Sequence, residues 1–145
     1  MLYLERTRQL YRDYLADVAR TRGKRDRQSM GGMFGFLQPS QDPCHERFVD
    51  DMEALMAEAA QEELTSEDAR ELMEFVFREA EEYQGDKVLY WMLLAAHALT
   101  MPLVERLTSG DAAALRAWYE KTYTRTNRLP NQKVLIQRLR EREGA

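Results

Sequence analysis

The apolar residues of this chain recur at intervals of three and four along most of its length, the spacing that puts them on one face of an α-helix. Over residues 2–22, Leu4, Tyr11, Tyr14, Leu15 and Val18 fall close to one face, and Arg8, Arg12, Asp13 and Arg20 fall largely off it. Gly23 ends this segment, and Arg20, Arg22, Lys24 and Arg25 suit a helix C-terminus, where cations oppose the macrodipole. A second helix is predicted over about 44–64. Asp42 offers a capping acceptor, Pro43 fits the first helical position, and Phe48, Met52, Leu55, Met56 and Ala59 make the stripe. Thr65 with Asp68 forms a capping box in which Asp replaces Glu or Gln. The helix it opens, about 67–84, carries Leu72, Phe75, Val76, Ala80 and Tyr83. Gly85 reads as its C′ stop and Asp86 as the next N-cap.

Residues 87–100 differ, because Val88 to Ala96 is apolar all round and calls for neighbours on most sides. This helix is expected at the centre of the fold. Pro102 should end or kink it, with a short helix through Leu103, Val104 and Leu107. Residues 111–124 repeat the helical pattern with Leu115, Trp118, Tyr119 and Tyr123, and Pro130 opens a last helix to about 142 through Val134, Leu135, Ile136 and Leu139. No stretch alternates in the manner of a strand. The expectation is an all-α globular bundle of six or seven helices, built as antiparallel hairpins around the central 87–100 helix. A short HEAT- or TPR-like stack is the rival architecture, although no strict repeat is visible.

The pattern fails over residues 28–43, which hold three Gly and two Pro yet an apolar middle of Met33, Phe34, Phe36 and Leu37. A purely solvated linker has no need of those side chains. Either they fold back as a cap on the core or they are offered to a partner. The chain thus divides into a basic helix at 1–22, a Gly/Met/Phe-containing loop at 23–43 and a helical core at 44–145, within one domain.

Composition narrows the class. At 145 residues, with 44% hydrophobic and 32% charged residues, the chain is too apolar for disorder and too polar for a membrane bundle. A fold of this length can build its own core without cross-links. One cysteine excludes an internal disulfide framework and an all-cysteine zinc site. The first residues carry charges where a secretory leader needs an apolar run. The stretch from Val88 to Leu99 is well short of the roughly 20 residues that span a bilayer. A cytoplasmic protein with no membrane partner is therefore expected.

The net charge of −4 conceals a segregation. Residues 1–28 carry +4, residues 29–86 carry −13 and residues 87–145 carry +5. Oppositely charged segments that pack together explain this most simply, and an asymmetric surface that steers a partner is the sharper reading.

Catalytic and metal signatures are missing. His45 and His97 are the two histidines, and neither completes a Glu-x-x-His pair of a di-metal bundle. There is no His-Glu-x-x-His, Walker or Gly-x-Gly-x-x-Gly motif. Gly31 to Gly35 lacks the Lys-Ser/Thr ending of a phosphate loop. Adjacent helical residues point about 100° apart, so His45 is poorly placed to activate Cys44. Cys44 is read as a small residue at a helix start. His97 is read as a core histidine with one hydrogen-bond partner. The acidic residues of the third helix read as a solvated face whose first turn suits the dipole, with no EF-hand spacing.

Two surfaces could bind macromolecules. Arg20, Arg22, Lys24, Arg25 and Arg27, with Arg125 and Arg128 beside Trp118, Tyr119 and Tyr123, combine positive charge with rings, as single-strand binders do. The pI near 5.3 argues against nucleic acid unless the acidic middle faces away. The Met33, Phe34, Phe36 and Leu37 loop offers an adaptable apolar contact. The favoured expectation is a non-enzymatic protein, without cofactor, that binds another protein or itself through this loop and the Tyr-bearing first helix. Nucleic-acid binding and a small enzyme with a His97-lined pocket are the alternatives.

Overall fold

A computed structural model of the chain describes residues 1–21, 43–123 and 130–145. These form seven α-helices: α1 Leu2–Arg20, α2 Pro43–Gln61, α3 Ser66–Glu79, α4 Lys87–Leu94, α5 Ala96–Leu99, α6 Ser109–Thr122 and α7 Pro130–Glu143. Two 3-10 segments, Ala80–Tyr83 and Met101–Arg106, complete them. No strand occurs among the described residues, and the helices pack as a globular bundle.

The helix starts follow local chemistry. Thr65 Oγ1 accepts from the Asp68 amide at 3.0 Å, and Asp86 Oδ1 accepts from the Leu89 amide at 3.1 Å. Thr108 Oγ1 caps the Asp111 amide at 3.1 Å, so α6 starts at Ser109, two residues earlier than the apolar pattern places it. The third helix ends earlier than expected. It tightens into the 3-10 segment at Ala80, and Gly85 does not adopt the left-handed conformation of a C′ glycine.

The hairpin expectation holds for two pairs. Arg6 meets Glu58 while Asp17 meets Arg47, so α1 and α2 run antiparallel. Ser109 meets the Glu143 carbonyl while Tyr119 meets Gln132, so α6 and α7 run antiparallel. The consecutive helices α2 and α3 do not lie along one another. Instead α3 runs parallel to α6: Ser66 and Arg70 sit by Asp111, and Phe77 sits by Tyr119 and Tyr123. A stack of successive hairpins is therefore not the architecture.

The buried centre takes in most of the 87–100 run and continues past it to Leu107. That run breaks at Ala95, and its first part exposes Val88 (40%) and Trp91 (44%). Leu89, Met92, Leu93 and Leu94 of that part are buried, and the enclosure continues through Ala96, His97, Thr100, Leu103, Val104 and Leu107, gripped by α2, α3 and α7. Pro102 has no N–H for the Ala98 carbonyl, and the chain there narrows into the 3-10 segment. Around it Met52 and Met56 of α2, Leu72, Met73, Val76 and Phe77 of α3, Leu115 of α6 and Leu135 and Leu139 of α7 are fully enclosed. Burying each such side chain contributes about 1.5–3 kcal/mol before chain entropy is counted. Val134, predicted on the apolar side of α7, is instead 49% exposed. Among the described residues no helix is long and apolar enough to cross a membrane.

Candidate functional site

The outer side of the α1–α2 hairpin carries a groove of about 470 Å³. Its walls follow from helical spacing. On α1, Arg6, Gln9, Leu10, Asp13, Tyr14 and Asp17 recur every three or four residues and share one side. On α2, Cys44, Arg47, Phe48, Asp51, Ala54, Leu55 and Glu58 do the same. The neighbouring face of α1, with Tyr3, Leu4, Thr7 and Tyr11, is buried against the rest of the fold. Both helices thus contribute one face to the core and the adjoining face to the groove.

Apolar side chains form the floor. Tyr14 stacks on Phe48 with ring centroids 4.4 Å apart, and its hydroxyl donates to Met92 Sδ at 3.1 Å. Leu10 and Leu55 extend the floor, and exposed Ala54 leaves a low point in the α2 rim. Ion pairs cross the groove at its two ends. The Arg6 guanidinium grips both Glu58 oxygens at 2.9 Å, which holds the Glu58 carboxyl below its ordinary range. At the other end Arg47 lies 3.4 Å from Asp17, which also pairs with Arg20. Between these ends, Asp13 accepts only from the neutral Gln9 amide, at 2.9 Å, and Asp51 has no cationic partner among the described residues.

The residues singled out by the sequence are scattered. Met33, Phe34, Phe36 and Leu37 lie outside the described residues, as do Arg22, Lys24, Arg25, Arg27, Arg125 and Arg128. Arg20 is exposed and bound to Asp17. The tyrosines of the first helix, expected at an interface, are packed within the chain: Tyr3, Tyr11 and Tyr14 are buried. Arginines of the basic C-terminal part largely meet internal carboxylates: Arg138 on Glu105, Arg140 on Glu120, Arg116 on Glu120 and Glu143. Trp118 is half-buried and covered by the Arg78 guanidinium at 5.2 Å. Those carboxylates belong to the same basic segment, so these pairs do not join it to the acidic middle; Arg6 on Glu58 makes that link for the first helix.

His97 is fully enclosed, ringed by Phe77, Tyr119 and Tyr123. Its Nδ1 lies 3.0 Å from the Tyr119 hydroxyl, the single partner expected of a core histidine. Burial pushes its pKa down to about 3, with the Phe77 backbone opposing, so the ring is neutral near pH 7. Burial likewise pushes the Tyr119 and Tyr123 hydroxyls well up. His97 has no exposed surface. His45 is buried beside Tyr14 and Phe48, and Cys44 forms part of the groove wall. Among the described residues no group of three or more His, Cys, Asp or Glu side chains is placed to hold a metal ion.

The groove was not anticipated by the sequence reading, although its signal was present. Leu10 sits off the main stripe of α1 yet four residues before Tyr14, which widens the apolar arc beyond one contact face. No protein-family model matches the chain, and comparisons with curated proteins and with solved structures return no match.

Proposed function

We infer that this chain is a non-catalytic, cytoplasmic binding protein that acts by seating a segment of another protein in the α1–α2 groove. The groove itself is the observation that supports this reading. It is an elongated depression with an apolar floor and a charged rim, as helix-binding surfaces are. Its walls are full helices held in register by ion pairs at both ends, so it is a formed surface rather than a gap between loops. A His97-based enzyme has less in its favour, because the imidazole is sealed and neutral.

Site-specific photo-crosslinking tests this reading. A photoreactive residue at Gln9 or Ala54 should trap a discrete protein, and one at exposed Glu67 on α3 should not. The trapped protein, once identified and purified, should bind the intact chain and not Ala54→Arg. Equal trapping at Glu67, or unimpaired binding to Ala54→Arg, would sink the reading. A second copy of the chain as the trapped species would make self-association the function.

A further inference from the structure

The groove lining holds two arginines against four carboxylates, and its cations are already committed. Arg6 is held by Glu58 and Arg47 by Asp17. The carboxylates of Asp13 and Asp51 line opposite walls between the two ion pairs, four residues from the Asp17–Arg47 end, without a cation among the described residues. Exposed Asp50, Glu46 and Glu53 extend the negative charge along α2. An occupant must therefore bring apolar side chains for the floor and positive charge for the middle of the rim.

Length and backbone chemistry restrict it further. Arg6 and Asp17 are eleven residues apart on α1, which spans about 16 Å, or three helical turns. A strand laid there would find no free backbone donors or acceptors, because both walls are helices with their amides and carbonyls already bonded. A helix satisfies its own backbone and can set its side-chain ridge between two antiparallel neighbours.

Building on the binding reading above, we propose that the occupant is a basic amphipathic helix of about three turns from another protein. Apolar residues at i, i+3 or i+4, and i+7 rest on Leu10, Tyr14, Phe48 and Leu55. Lys or Arg beside them reaches Asp13 and Asp51.

Two synthetic peptides test this, sharing one set of Leu positions at helical spacing. One carries Lys at every polar position and the other carries Glu. Fluorescence anisotropy on the intact chain should give the Lys peptide at least about a tenfold lower Kd. Asp13→Lys/Asp51→Lys changes two exposed residues and should abolish or invert the preference, with the circular dichroism unchanged. Glu67→Lys/Glu71→Lys, on the exposed side of α3, should leave it intact.

Several results would overturn the proposal: equal affinities, binding of neither peptide, no effect of Asp13→Lys/Asp51→Lys, or an equal effect of Glu67→Lys/Glu71→Lys. A dimer in light scattering that Asp13→Lys/Asp51→Lys dissociates would give the groove to a second copy and overturn it too. A crosslinked partner that enters the groove with an acidic or uncharged segment overturns this inference and leaves the binding reading standing.

Discussion

The Tyr119 hydroxyl ties His97 to α7: its oxygen accepts from the Gln132 side-chain amide at 2.9 Å and lies 3.0 Å from His97 Nδ1. One phenol thereby connects the central α5 to the last helix through the ring cluster of Phe77, Tyr119 and Tyr123.

Removing that hydroxyl should be felt throughout the bundle. In Tyr119→Phe the ring stays, but His97 Nδ1 and the Gln132 amide lose this hydroxyl in a buried site. A loss of roughly 1–3 kcal/mol is expected in urea unfolding, with the m-value unchanged. A loss below about 0.5 kcal/mol would mean that the pair is not what holds α7 to the centre.

Acid should unfold the protein through His97. Its pKa is about 3 in the fold against an ordinary 6.5, so the unfolded chain binds the proton first as the pH falls. The stability associated with the neutral ring is complete above about pH 6.5 and declines between that value and about 3, by about 1.4 kcal/mol per unit at most. Melting temperatures followed from pH 7 to 4 should fall steeply for the native chain. They should fall less for His97→Gln, even if that variant starts lower. Parallel slopes would show that other groups carry the acid sensitivity.

A polar knot joins the starts of α3 and α6. Ser66 Oγ accepts from the Thr108 amide at 2.8 Å and donates to the Asp111 carboxylate, which also takes the Arg70 guanidinium at 3.2 Å. The Ser66 hydrogen bond, then that of Arg70, holds the Asp111 carboxyl below its ordinary range. Its contribution is therefore present above about pH 4 and lost as the pH falls further. Ser66→Ala and Asp111→Ala should each cost about 1 kcal/mol. Because they share one network, the double variant should lose less than the sum, by about 0.5 kcal/mol or more. Strict additivity in the double-mutant cycle would mean that Ser66 and Asp111 act independently.

The end of α7 is anchored by Arg116, whose guanidinium meets Glu143 through two nitrogens at 2.7 and 3.1 Å and Glu120 through a third at 3.1 Å. Lysine keeps the charge but not the fork. Arg116→Lys should weaken the fold by about 0.5–1 kcal/mol and speed amide exchange in the last turn of α7 before any other helix frays. Unchanged exchange at Glu141 to Glu143 would assign that anchorage to Ser109 on the Glu143 carbonyl and Arg142 on the Leu107 carbonyl instead.

Much of the helix inventory was legible in the sequence, because a helix is set by residues three and four apart and by caps within one turn. Thr65, Asp86 and Pro130 mark starts that the fold uses. The α2 stripe of Phe48, Met52, Leu55, Met56 and Ala59 is buried throughout. The reading of His97 as a core histidine with one partner also agrees with the fold, since an apolar run of that length needs enclosure.

What the sequence could not determine is which helices meet. Periodicity names the apolar face of a helix but not the helix that covers it. Phe77 and Met73, off the expected stripe of α3, became core because α6 and the 96–107 segment approach from that side. Val88 and Trp91, as apolar as their neighbours, are left on the outer side of α4, while Leu89, Met92 and Leu93 on its other side are buried. The groove arises the same way. Leu10 and Ala54 are unremarkable until α1 and α2 lie antiparallel and no third helix of the described chain covers their outer side. Local chemistry acts over a few residues and fixes elements. Docking depends on shape and charge across tens of residues, and only the packed chain decides it.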